Sequence, residues 1–166
     1  MFRQIDDFAK QWSDERDMTL MVFRALTDAS LTQQAGPGVR TLGRLAWHIT
    51  QSIGEMMGRV GLSPDAPAED APIPATAAEI VSAYERASAS LMEQLPARWS
   101  DPDLLQEHEM YGERWANGLT LEILIRHQAH HRAQMTVVMR LLGLRVPGVY
   151  GPAQEQWAEY GMQAQE

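Results

Sequence analysis

The sequence predicts an all-α fold built on four helices. Four segments repeat apolar residues with a helical period, and glycine and proline fall in the gaps between them. A hydrophobic fraction of 45% in 166 residues is enough for one packed core and short for two. The chain therefore reads as a single domain, 1–166, with an irregular tail over about 144–166.

The first helix is expected over 4–27, where Ile5, Phe8, Trp12, Thr19, Phe23 and Leu26 share a face. Gln33-Gln34-Ala35-Gly36-Pro37-Gly38 ends it. The second is expected over 41–60, with Thr41 as N-cap, Gly61 as terminator, and Leu42, Leu45, Ile49, Ile53, Met56 and Val60 as its apolar face. Residues 62–75 form a proline- and alanine-rich connector, longer than the two to eight residues usual between antiparallel neighbours. Such a length can return the chain across the bundle, so that helices two and three run parallel.

The third helix opens on Thr76-Ala77-Ala78-Glu79, which has capping-box spacing, carries Ile80, Tyr84, Leu91 and Leu95, and is expected to stop at Pro96. Residues 97–117 read as irregular. The fourth helix is expected over 119–142, closed by Gly143 with Pro147 beyond, and a short last helix is expected near 153–160.

Composition excludes several function classes. The chain has no cysteine, so disulfides, thiolate nucleophiles and cysteine-held metals are absent, and any metal must sit on nitrogen and oxygen. A formal charge of −8 without a dense basic patch argues against nucleic acid. No apolar run approaches the ~20 residues that cross a bilayer, and the first residues lack a signal-peptide pattern, so a cytoplasmic location is expected. There is no His-Glu-x-x-His, no glycine-rich phosphate loop after a strand and no Gly-x-Ser-x-Gly elbow. Met56, Met57, Met92, Met135 and Met139 read as core filler.

The chemistry candidates are the histidines. His127 and His131 lie only about 40° apart around the fourth helix, stacked one turn apart, a spacing that lets two imidazoles reach one ion. Thr120, Ile123, Leu124, Gln134, Val138 and Leu141 share their direction, whereas Glu122, Ala129, Arg132, Thr136 and Arg140 fall opposite. Polar groups on an inward stripe must be hydrogen-bonded or ligating. His130 sits at the margin of the stripe, placed for a supporting or interfacial role. His48 lies on a polar line with Arg44, Ser52 and Glu55, roughly 110° from its own apolar face. Read from phase alone, that line is a solvated face or the flank of a helix lining a polar pocket. His108, between Glu107 and Glu109, reads as a surface residue.

These marks resemble the DinB/YfiT-like superfamily of four-helix-bundle metalloproteins. Its late-helix His-x-x-His-His-Arg-Gly-Gln pattern appears here as His127-Gln128-Ala129-His130-His131-Arg132-Ala133-Gln134, followed by Arg140-Leu141-Leu142-Gly143 and Pro147. Its second-helix histidine appears in Leu45-Ala46-Trp47-His48-Ile49. Ala133 stands where glycine is common. The resemblance covers about residues 1–147.

The resemblance implies an up-down-down-up bundle with its long crossover between helices two and three. It also implies a divalent metal, nickel or zinc, on His48, His127 and His131. Ser52, Glu55 and Gln134 are candidate partners for the second imidazole nitrogens. Superfamily members include transferases and isomerases that use low-molecular-weight thiols. The expected activity is thus thiol transfer to an electrophilic small molecule, with Arg44 and Arg59 as candidates to meet a cofactor carboxylate. Metal-dependent hydrolysis and a non-catalytic metal-binding stress protein are the alternatives, and a homodimer is expected.

Overall fold

The computed structural model describes residues 1–164; Gln165 and Glu166, the end of the expected tail, lie outside the described residues. The four helices are α1 (Ile5–Arg24), α2 (Leu42–Arg59), α3 (Ala77–Arg98) and α4 (Asn117–Leu141). Two start on the caps the sequence announces. Thr41 Oγ1 accepts from Arg44 N, and Thr76 with Glu79 forms a reciprocal capping box. Pro96 does not stop α3, which runs two residues further. Only the last turn lacks one N–H there, and Trp99 N closes it on Leu95 O at 2.9 Å before the chain turns extended.

Hydrogen bonds between elements fix the helix directions. Phe2 N donates to Gly118 O and Arg132 donates to Glu15, so α1 and α4 run the same way. Ile5 N reaches Asp101 and Trp12 Nε1 reaches Ser88 Oγ, so α3 runs opposite to α1. Arg98 reaches Gly61 O while Trp47 and Ala83 share a cleft, so α2 runs with α3.

The connector makes this arrangement possible by climbing back along α2. Gln51 Nε2 donates to Ala68 O (2.6 Å) and Glu69 O (3.0 Å), and Trp47 Nε1 donates to Ala71 O (2.9 Å). Gly54 is where the connector presses closest, since a Cβ there would meet Ala66 Cβ at 2.8 Å. Gly→Ala inside a helix normally gains up to about 1 kcal/mol. Gly54→Ala should therefore lower the melting temperature, whereas Gly58→Ala, with nothing within 4 Å of a Cβ, should raise it. Equal gains in thermal melts would show that the connector is not packed there.

Residues 97–117 are more ordered than their composition suggests. A 3-10 turn (Asp101–Leu105) leads into an antiparallel hairpin of β1 (Glu107–Met110) and β2 (Glu113–Ala116), so the all-α expectation misses a small sheet. Tyr111 and Gly112 form its tip, with φ of 54° and 86°. Two left-handed residues make the tight turn whose twist matches paired strands.

The core joins Phe8, Trp12 and Phe23 of α1, Leu45, Ile49 and Ile53 of α2, Ile80, Tyr84 and Leu91 of α3, and Leu121, Leu124 and Met135 of α4. Arg132, expected on the outward side of α4, is instead 1% exposed. Helix α4 packs against α1 as well as α2, so Arg132 lies in the α1–α4 seam, and the solvated face runs instead along Arg126, His130, Ala133, Val137 and Arg140. The tail folds back over that seam, with Val146 buried and a 3-10 helix at Gln154–Tyr160.

Candidate metal centre

His48 comes from the middle of α2, and His127 and His131 from consecutive turns of α4. One buried residue sets the register between the two helices at this level. Gln128 donates to Ile49 O (3.1 Å) and accepts from Tyr84 OH (2.9 Å), tying α4 to α2 and α3. The neighbours of those two anchor points, His127 and His48, are thereby brought face to face.

The three imidazoles converge through one type of atom. His127 Nε2 lies 3.1 Å from His48 Nε2 and 3.1 Å from His131 Nε2. The three candidate ligand atoms all lie within 4.8 Å of one another. Nitrogens ~2.0–2.1 Å from a tetrahedral ion lie roughly 3.3 Å apart, so the spacing suits a first-row divalent ion.

The proton inventory favours the same reading. His131 Nδ1–H donates to Gln134 Oε1 (2.8 Å), which places the Nε2 lone pair toward the other two rings. Lone pairs converging at 3.1 Å repel unless a proton or a cation lies between them. His127 Nδ1 is buried without a hydrogen-bond partner among the described residues. Burial, followed by the charges of His131, His48, His130 and Arg40, lowers the His127 pKa to about 4. His48 and His131 are also lowered, in both cases chiefly by burial. All three are neutral at pH 7, the state in which imidazole ligates.

The candidate partners of the imidazoles separate cleanly. Gln134 orients His131 and also donates to His130 Nε2 (3.1 Å), so His130 supports the site from its rim. Ser52 Oγ donates to Ile49 O instead. Glu55 accepts from Arg59 Nε (2.5 Å) and from Tyr111 OH (2.5 Å), which ties the hairpin tip to α2. Burial and the Glu55 contact push the Tyr111 hydroxyl pKa up. His108 is half-buried on β1, not exposed as read from sequence, and does not join the triad.

Two clefts flank the triad along the α2–α4 seam. One, about 500 Å³, is lined by His48 and His127 with Arg44, Glu55, Glu69, Tyr111 and Trp115. The other, about 770 Å³, is lined by His131 and His130 with Arg40, Leu45, Val137 and Leu141. The polar line of α2 thus lines a pocket. Its phase left that alternative open, and hairpin and connector supply the walls.

The chain was also compared with known proteins. The uncharacterised YrdA protein of Bacillus subtilis (strain 168) is 44% identical over 164 residues, covering 99% of this chain and 98% of that protein. The crystal structure of a DinB-like protein from Bacillus cereus ATCC 10987 superposes with a TM-score of 0.85 at 40% identity, over 90% of this chain and 100% of that one. A DinB-like protein from Bacillus subtilis, YjoA, gives a TM-score of 0.66 over 89% and 99% of the two chains. At 14% identity it shows the fold alone. The DinB family model matches residues 1–166, and the chain belongs to the DinB family.

Proposed function

We propose that this protein is a metal-dependent transferase that holds a divalent ion, nickel or zinc, on His48, His127 and His131 and moves a low-molecular-weight thiol onto an electrophilic small molecule. The observation that carries the reading is the convergence of three neutral Nε2 atoms between two clefts. When bound, such an ion acidifies a thiol ligand and, with three protein donors, keeps further positions open.

The chain's own residues supply orientation and access. Gln134 holds His131 in the tautomer that faces the centre. Arg44, in the same cleft as His48, would place positive charge near a bound thiolate. Tyr111 and Trp115, with ring centroids 5.5 Å apart, form an aromatic wall of the cleft. The chain has no cysteine, so the sulfur nucleophile comes from a second molecule. Of the two carboxylates lining that cleft, Glu55 is already engaged by Arg59 and Tyr111, so the hydrolytic alternative would draw on Glu69.

Cobalt substitution tests the reading. Titrating a small thiol into the cobalt form should produce a sulfur-to-metal charge-transfer band that is lost in His48→Ala. Full cobalt occupancy with no band would contradict the thiol reading while leaving the metal site standing.

A further inference from the structure

The larger cleft has a chemistry of its own. Its lining brings Leu45, Val137, Val138 and Leu141 together with Arg40, which is exposed, and with His130 and His131. Val137 is 59% and Leu141 65% exposed, one helical turn apart on the same side of α4. Most arginines of the chain reach a carboxylate, as Arg59, Arg126 and Arg140 do on their own surfaces. Among the described residues Arg40 reaches none. Arg40 lines the same cleft as His130 and His131. A guanidinium without a carboxylate partner, in a cleft whose lining contains no Asp or Glu, is placed to meet an anion.

We infer that this cleft binds a small anionic amphiphile, with its hydrocarbon part along Leu45, Val137 and Leu141 and its carboxylate at Arg40, next to the histidine triad. Its volume, about 770 Å³, is in the range of small-molecule sites. The apolar wall supplies affinity, and the arginine fixes which end of the ligand meets the triad. The inference rests on the proposed function only in treating that ligand as the electrophilic reactant. The second cleft, walled by Tyr111 and Trp115 on the His48 side, is then left for the thiol.

The probe is octanoate, with octan-1-ol as its neutral counterpart, titrated by calorimetry into metal-free and metal-loaded protein. Octanoate should bind both forms. Arg40→Gln should weaken it about fivefold, as expected for a solvent-accessible charge pair, and leave octanol unchanged. Val137→Glu, at an exposed helix position, should weaken both ligands, with the fold checked by circular dichroism. Three results would overturn the inference. Octanoate could bind Arg40→Gln as well as wild type. It could bind only the metal-loaded form and be lost in His48→Ala, which would put the carboxylate on the ion. It could fail to bind wild type at all, and a dimer dissociated by Leu141→Asp would then make the groove the seat of a second copy. Because binding is read without metal, failure of the metal site and failure of this inference are separate results.

Discussion

Replacing Arg132 by methionine is expected to destabilise the protein by about 3–5 kcal/mol, the usual result of removing one partner of a buried ion pair. Arg132 and Glu15 have side chains 1% and 7% exposed and pair at 2.5 Å. Arg132 also donates to Glu15 O (3.1 Å), Thr19 Oγ1 (2.9 Å) and the Tyr150 hydroxyl. Tyr150 OH in turn donates to the Glu15 carboxylate (2.7 Å). Without Arg132, the Glu15 charge is left in the α1–α4 seam with one tail hydroxyl for company. The double variant Arg132→Met with Glu15→Leu should recover most of the loss, because no charge is then stranded. Urea denaturation reads both. A single variant within 1 kcal/mol of wild type would show that the pair is solvated. The same cluster latches the tail: Tyr150, at φ 59°, takes a conformation that costs energy, and the hydroxyl contacts hold it there.

The second large effect is a pH dependence of the metal-free protein. His127, with its folded pKa near 4 against an ordinary value of 6.5, carries the largest of the triad's shifts. His48 and His131 are displaced in the same direction. Between pH 6.5 and 4 the unfolded chain therefore binds more protons than the folded one, and stability falls as pH falls through that window. Above pH 6.5 the contribution is complete. Urea midpoints of metal-free protein should drop from pH 7 to pH 4.5, with a shallower drop in His127→Leu. An unchanged slope in that variant would place the titration elsewhere. Metal affinity should fall over the same range, since protons compete for the ligating nitrogens. Added metal should raise the midpoint most clearly near pH 7.

How far the sequence reveals this arrangement depends on what each element packs against. The caps at Thr41 and Thr76 are local chemistry, and both helices begin where those residues place them. His127 and His131 are legible because the spacing of four within a helix is itself geometric. His48 is not legible from phase. Its flank of α2 meets α4, the hairpin and the connector, and no pattern within 41–60 records those neighbours. The family resemblance, which compares whole patterns, groups His48 with His127 and His131, and the three rings converge in the structure.

Arg132 fails for the opposite reason. A single inward stripe does not describe α4, because that helix lies between α1 and α2, and Arg132 points into the second seam. Its partner, Glu15, sits on the buried face of α1 among Trp12 and Thr19. A carboxylate in that position was the available signal. The hairpin escapes because Glu107–Met110 and Glu113–Ala116 are polar and short, with weak strand character. Its one cue is Tyr111-Gly112, a glycine-containing pair at the spacing of a tight turn. Gln128 likewise gives no sign in sequence that it sets the register of three helices.

Metal content is the most direct test of the site. Wild-type protein equilibrated with nickel or zinc, freed of excess by gel filtration and submitted to elemental analysis should carry one ion per chain. His48→Ala, His127→Ala and His131→Ala should carry almost none while keeping the helical circular dichroism of wild type, and His130→Ala and His108→Ala should retain it. A wild type without metal, or metal that survives all three triad substitutions, would contradict the assignment.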